Sequence, residues 1–408
     1  MDWIQLWYLN REPEGDENLL FEKVDAVIVG YPKTLDVWVR GLQARGIKVL
    51  PYISFYKAPR VARVPESMGW EGGSPAKSEC LINPFWKAVA TDDHPEWIGR
   101  DENGNARRPF ENEKYLQGWD QTCPLAASYR EACIRGLQEL MEDGYDGIFL
   151  DNVHISDRLP HVGQGSGEEV GNAATSLVIE AARLVHAMDP ELLFAANGEI
   201  VSDIEPVVDL ITLESFFFSC AWDLSIFLPE ICKPGLENWQ AHFEKTLARY
   251  SSQPWRPGVG AQPVAIVYLG FSGRSLREDA FTFLAIARIL GMAACDAGSA
   301  LNSGTWKHFQ SRDVFFRARS ETAKWVRDFY RLDLGEPRSD VLHQENCLIR
   351  YFDRGACVFN PTDKVVRVSL EGWSGNGYEI ACDVDIAIND GIIPVWLPPF
   401  CGRIVLAS

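Results

Sequence analysis

Gly144-Tyr145-Asp146-Gly147-Ile148-Phe149-Leu150-Asp151-Asn152 is the stretch on which the fold turns. Its apolar run of Ile, Phe and Leu is too short for helical periodicity and reads as a strand buried on both faces. The run stops abruptly at a carboxylate and an amide. An unpaired buried carboxylate is costly, so the end of this strand opens onto solvent or onto a site. In a parallel barrel the C-terminal strand ends hold the chemistry, which makes Asp151 the first candidate. Asp146 lies five residues earlier, ~16 Å away along an extended strand. It belongs to the opposite end and reads as a structural residue.

Working outward, strand-like and helix-like segments alternate. Residues 3–9 and 24–31 are the first two strands; a helix at 35–45, with apolar Val37, Val39 and Leu42, stops at Gly46 and leads into a strand at 49–56. Residues 57–118 are irregular, rich in Pro, Gly and charge, and too long for an ordinary strand-to-helix loop. Within them, the segment from Trp97 to Gly104 reads as a hairpin turning at Asn103-Gly104. An amphipathic helix at 125–143 ends at Gly144. After the opening strand come a helix at 171–188, strands at 192–197 and 208–213, a helix at 238–250, a strand at 264–269 and a helix at 278–295. An eighth strand is expected near 300–302 and a last helix at 321–332.

Eight alternations predict an α/β chain folded as a (β/α)8 TIM barrel, typically ~250 residues before insertions. The insertion at 57–118 accounts for the excess. A doubly wound open sheet is disfavoured because no Gly-x-Gly-x-x-Gly turn follows the first strand. From 338 the pattern changes to short runs at 347–351, 356–360, 365–370, 378–381, 392–397 and 402–406, separated by turn residues. This predicts a barrel over 1–335 with a C-terminal all-β sandwich over 338–408 as a structural appendage.

A formal net charge of −18 repels phosphate backbones and anionic membranes, so nucleic acid and membrane surfaces are not expected partners. No run approaches the ~18 apolar residues needed to span a bilayer. The first ten residues lack a basic region and a cleavage site, so the expected location is the cytoplasm, or the exterior if an export signal has been removed. The ten cysteines are scattered with no Cys-x-x-Cys pair, and Cys133, Cys295 and Cys357 fall inside apparent helices or strands. They read as buried free thiols rather than a disulfide framework. With 14 Trp, 12 Tyr and 21 Phe, the chain has ample aromatic faces on which the apolar faces of sugar rings could stack.

Glu214, at the end of Asp209-Leu210-Ile211-Thr212-Leu213-Glu214, ends the sixth strand as Asp151 ends the fourth. Strands ~4.8 Å apart place ends two strands away at roughly 9–10 Å, and inward-leaning side chains bring the carboxyl groups to about 5–9 Å. Paired acids in glycoside hydrolysis use that range. One carboxylate stabilises the oxocarbenium-like transition state while a carboxylic acid protonates the leaving oxygen. Phe216-Phe217-Phe218 form an apolar wall that favours the protonated form of Glu214, which suits the general acid. Asp151, beside a polar turn, suits the nucleophile or base. Glu199, two residues beyond Asn197 and past Gly198, is the alternative acid.

Asn152, His154 and Asn197 are candidate hydrogen-bonding groups for substrate, and Trp7, Tyr31, Tyr56 and Tyr268 are candidate stacking platforms near strand ends. The spacing of Asp151, His154 and His161 matches no zinc signature, so no metal is expected. Asp101-Glu102-Asn103-Gly104-Asn105 resembles the start of a calcium loop but lacks the distal Glu and reads as a turn. No Gly-x-Ser-x-Gly or phosphate loop appears, and no cofactor is expected.

The segment ending Asp146-Gly147-Ile148-Phe149-Leu150-Asp151 resembles the Gly-x-Asp-Gly-x-x-Leu-Asp segment of endo-α-1,4-polygalactosaminidase-like glycosidases. More distantly it is similar to that of α-galactosidases and α-amylases. His94-Pro95-Glu96-Trp97 with Asn103-Gly104 is also similar to uncharacterised members of that group, which commonly end in a β-sandwich. The resemblance implies a nucleophile, or its equivalent, at Asp151. It implies an acid/base at Glu214 by the galactosidase-like branch, or at Glu199 by the amylase-like branch. The sixth-strand acid is Asp in α-galactosidases and Glu here. The function implied is hydrolysis of glycosidic bonds in α-linked oligosaccharides or glycosides. The rival reading is a catalytically silent carbohydrate-binding barrel in which the same acids only hydrogen-bond sugar.

Overall fold

The structure, a computed structural model, describes residues 6–9, 24–29, 37–59, 84–107, 119–153, 165–198, 203–214, 261–267, 276–296, 332–373, 376–387 and 390–407. Eight parallel strands form one sheet in chain order: β1 (Leu6–Leu9), β2 (Ala26–Val29), β3 (Lys48–Ser54), β6 (Gly147–Val153), β7 (Leu193–Gly198), β8 (Leu210–Glu214), β9 (Gln262–Val267) and β10 (Ala293–Asp296). Every neighbouring pair is parallel. Cα atoms of β10 come within 8 Å of those of β1, closing the sheet. This is the expected (β/α)8 barrel, with helices α1 (Val37–Gln43), α3 (Ala127–Glu142), α4 (Gly167–Met188) and α5 (Leu276–Leu290) on its outside.

The barrel strands are continuous apolar runs because both faces are covered. Ile148, Phe149 and Leu150 are fully or almost fully buried, as are Val27, Ile28, Leu50, Phe194 and Ala195. Each of these Val, Ile, Leu and Phe side chains contributes about 1.5–3 kcal/mol on leaving water. α4 starts where local chemistry dictates: the Ser166 hydroxyl accepts from Glu169 N, and the Glu169 carboxylate accepts from Ser166 N, a complete capping box.

Two aspartates lock the N-terminal ends of the strands in the same way. Asp146 N donates to Val49 O, and Val49 N donates back to the Asp146 carboxylate at 2.8 Å, which also accepts from Gln43. Asp209 N donates to Phe194 O, and Phe194 N donates back to the Asp209 carboxylate at 2.7 Å, with His186 Nε2 2.9 Å away. Asp146 is therefore the structural residue that its position in the strand implies.

The eighth strand corrects the sequence reading. β10 is Ala293–Asp296 rather than a segment near 300–302, which itself lies outside the described residues. The helix expected to run to Cys295 stops at Leu290, because Gly291 adopts φ +75° and its N–H closes onto Arg288 O. A left-handed glycine ends a helix at little steric cost, so the apolar residues after it start a strand. The helix expected at 238–250 lies outside the described residues, as does the one expected at 321–332 apart from Leu332.

The described part of the insertion lies against the barrel. β4 (Lys57–Pro59) pairs antiparallel with β5 (Trp119–Gln121), so the two ends of the insertion are joined at its base. Within it, α2 (Pro84–Ala88) packs on α3 so tightly that a Cβ at Gly136 would sit 3.0 Å from Phe85 Cα. The expected hairpin is present, bridged between Arg100 and Ala106. Asp101 closes the turn by accepting from Asn103 N and Asn105 N.

The C-terminal part is a sandwich. A six-stranded sheet contains β11 (Leu342–Gln344), β12 (Cys347–Phe352), β13 (Gly355–Asn360), β15 (Gly377–Glu379), β16 (Val384–Ile386) and β18 (Cys401–Ala407). It faces the pair β14 (Val366–Glu371) and β17 (Ile392–Leu397). Alternation splits the large sheet: Ile349, Val358 and Val405 pack with Val368, Leu370 and Ile393, whereas Leu348, Cys357, Phe359 and Ile404 join the barrel core. Across that junction Arg350 donates to Ile289 O and Arg277 to Ile380 O, and Gly402 exchanges hydrogen bonds with Thr282 on α5.

Among the described residues Cys123, Cys133, Cys347, Cys357 and Cys401 are buried free thiols, and Cys382 is exposed. Burial pushes Cys133 and Cys357 up to about 12, so neither is a thiolate at neutral pH. Among the described residues no helix is long and apolar enough to cross a membrane.

Candidate active site

Four neighbouring strands bring one row of polar side chains together. Asp151, on the fourth barrel strand, is paired in register with Ser54 of the third, and Asn197 of the fifth is paired with Thr212 of the sixth. Between β6 and β7 the register slips: Leu150 pairs with Ala196 but Val153 pairs with Gly198, so three steps on β6 match two on β7. The extra residue is a β-bulge that falls on Asp151-Asn152. Bulges bend a strand and re-aim its side chains, and they are common beside active sites. Gly198 permits the irregularity: at φ +149°, a Cβ there would meet Val153 O at 2.5 Å.

Both carboxylate oxygens of Asp151 are engaged. Oδ1 accepts from Asn197 Nδ2 at 2.7 Å, and Oδ2 accepts from the Tyr52 hydroxyl. Behind these donors stand two more groups. Thr212 Oγ1 donates to Asn197 Oδ1 at 2.8 Å, and Lys57 Nζ donates to the Tyr52 hydroxyl at 3.1 Å. The amide orientation of Asn197 follows from this: the carboxylate can only accept, so the N–H₂ must face it, and the amide oxygen is left to accept from the Thr212 hydroxyl. All five side chains are buried, Asp151 the least so at 9% exposure and Thr212 completely. The result is a carboxylate with a donor fixed on each of its two oxygens.

The sequence reading named two of these residues and missed three. Asp151 stands where it was expected. Asn197, expected to meet substrate, is placed against Asp151 and Thr212. Tyr56, expected as a stacking platform, is half-buried in the bend after β3, with its N–H on Ser54 Oγ; the hydroxyl that reaches Asp151 belongs to Tyr52. Tyr52 was hidden inside the apolar run 49–56, although it has the same strand parity as Ser54, the register partner of Asp151. Lys57 was hidden in the insertion. Thr212, two places before Glu214, gave no signal beyond a polar residue in an apolar strand.

Glu214 closes β8, two positions beyond Thr212 and in register with Ile266. Asn152 and Trp7 are likewise strand positions, on β6 and β1. The side chains of these three, and His154, Glu199, Tyr31 and Tyr268 altogether, lie outside the described residues. His94, in the segment that resembles the glycosidase group, stacks on Trp97 with ring centroids 3.7 Å apart, while Trp97 Nε1 donates to Ser128. This pair holds the insertion to α3. Among the described residues no three His, Cys, Asp or Glu side chains converge.

No protein-family profile matches the chain, and no curated protein matches it in sequence. Solved structures do match in fold. An α-amylase from Lactobacillus plantarum superposes with TM-score 0.57 at 11% identity, covering 99% of this chain and 98% of that one. A noncanonic maltogenic α-amylase from Thermotoga neapolitana gives 0.54 at 11% identity, covering 99% of both chains. An α-glucosyl transfer enzyme gives 0.55 at 11% identity, again covering 99% of both. Likeness at this identity is one of fold: a barrel followed by a β domain.

Proposed function

We propose that this chain is a glycoside hydrolase acting on α-linked sugars, with Asp151 as nucleophile or base. The observation that carries the reading is the carboxylate itself: it lies near the C-terminal end of the fourth barrel strand, sits in a bulge, and accepts a donor on each oxygen. Immobilised acceptor-only carboxylates suit the stabilisation of a developing oxocarbenium ion, because no reorganisation is needed as charge appears. Support comes also from the solved structures of like fold, which are titled α-amylases and an α-glucosyl transfer enzyme. The barrel over 1–335 would hold the site, and the sandwich over 338–408 would brace it through α5.

In this reading Glu214 is the general acid. It ends the sixth strand at the same parity as Thr212, whose hydroxyl points into the Asp151 row. Glu199, beyond the fifth strand, is the alternative, and the choice decides between a galactosidase-like and an amylase-like arrangement. The finer resemblance to polygalactosaminidase-like and α-galactosidase-like enzymes rests on the Asp-Gly-x-x-Leu-Asp segment, with His94-Pro95-Glu96-Trp97 and Asn103-Gly104 beside it.

The test is hydrolysis of a panel of aryl α-glycosides and α-linked oligosaccharides by purified protein, followed by two substitutions. Glu214→Gln is expected to lower kcat by ~10²-fold or more, the scale of a lost general acid, and Glu199→Gln to leave it nearly intact. The opposite pattern would move the acid to Glu199. A wild-type protein that binds sugars yet hydrolyses none would be the catalytically silent carbohydrate-binding barrel.

A further inference from the structure

Lys57 is a buried cation on β4, in the strand pair at the base of the insertion, and its Nζ lies 3.1 Å from the Tyr52 hydroxyl and 5.5 Å from that ring's centroid. Lysine is seldom buried without a partner, since its ammonium is strongly hydrated in water. Here the ammonium donates to a hydroxyl oxygen whose single proton points at Asp151 Oδ2. A hydroxyl that accepts from a cation becomes a stronger donor to the next group in the chain. On the other side, Thr212 and Asn197 do the same for Oδ1 with neutral groups. The carboxylate is thus held from two sides, and the Tyr52 side has a charge behind it.

We infer that Lys57 and Tyr52 are positioning residues that fix the Asp151 carboxylate from the base of the insertion. This deepens the proposed function and rests on Asp151 being the reacting carboxylate. β4 pairs with β5 across Lys57 and Gln121, so the strand pair that closes residues 60–118 also sets where the ammonium stands. Thr122 and Tyr129 reinforce that base by donating to Phe55 O between β3 and β4. The insertion therefore reaches the carboxylate through Lys57 and Tyr52, and substitutions at Lys57 should alter turnover.

The test uses the full chain with Lys57→Met, Lys57→Arg, Tyr52→Phe and the Lys57→Met/Tyr52→Phe double variant. On a hydrolysed aryl glycoside, Lys57→Met is expected to lower kcat ~10–100-fold with KM within twofold, the pattern of an interaction felt in the transition state. Lys57→Arg should recover most of the loss, and the double variant should be no worse than Tyr52→Phe. Lys57→Met with wild-type kcat, or Lys57→Arg no better than Lys57→Met, would overturn the inference. Crystal structures of the wild type, Lys57→Met and Tyr52→Phe supply a readout independent of turnover. An Asp151 carboxylate that rotates or splits in the two variants supports positioning; one that stays unmoved in both overturns it. That second readout keeps the inference testable even if no glycoside is cleaved, so its failure is distinct from failure of the proposed function. Tyr52→Phe, which keeps the ring and removes one oxygen, serves should Lys57→Met not fold.

Discussion

Asp151 would be an ordinary strand-end acid but for its four supporting residues. A carboxylate at 9% exposure without donors would bear a large desolvation cost; with one donor on each oxygen it becomes a fixed acceptor. Thr212 has the least conspicuous part and gives a clean prediction. Thr212→Val keeps the shape and deletes the donor to Asn197 Oδ1, loosening the amide that donates to Asp151. Stability should fall by about 1–2 kcal/mol and kcat by about tenfold, equivalent to about 1.4 kcal/mol of barrier. Unfolding midpoints and steady-state kinetics check both; an unchanged kcat would mean that the Asn197 amide orients itself. Asp151 was legible in the sequence because a carboxylate ending an apolar run is anomalous. Tyr52, Lys57 and Thr212 were not, because their roles arise from register between strands and from a strand pair whose partners lie 64 positions apart, Lys57 and Gln121.

Elements were legible in proportion to how strongly burial marks them. The seven barrel strands up to β9 and six of the sandwich strands were found because their apolar residues run continuously or alternate. β11 and β16 were missed: each is three residues long and mostly exposed, so neither has an apolar signature. The turn before β12 is built from Glu345 and Asn346 at φ 50° and 64°, a two-residue hairpin without the glycine that usually announces it. β10 was displaced because Ala293 and Ala294 extend the apolar character of α5 past Gly291. Gly147 is where element geometry is least forgiving. It sits at φ +142°, and a Cβ there would fall 2.0 Å from Leu193 O of the neighbouring strand. Gly147→Ala should therefore destabilise the protein by at least about 3 kcal/mol, combining backbone strain with an immovable clash. Urea unfolding checks this, and a midpoint equal to the wild type would show that β6 can shift against β7.

At the scale of the whole molecule, the barrel and the sandwich are one packed body rather than a catalytic unit with a loose appendage. The large sheet is buried on both faces, and Gly402 lies so close to α5 that a Cβ would sit 2.9 Å from Thr282 O. Arg288 is enclosed near that junction, its burial lowering it to about 10, which leaves it a cation at neutral pH. Bracing α5 in this way steadies β10 and, through barrel closure, the rim on which Asp151 stands. The central claim is that Asp151 performs the chemistry of a glycosidase. The most direct measurement is turnover of an activated aryl α-glycoside by wild type and by Asp151→Asn, with thermal unfolding of both as a control. The account predicts hydrolysis by the wild type and a loss of ~10³-fold or more in Asp151→Asn, with folding retained. Activity within a few-fold of the wild type in a folded Asp151→Asn protein would contradict it.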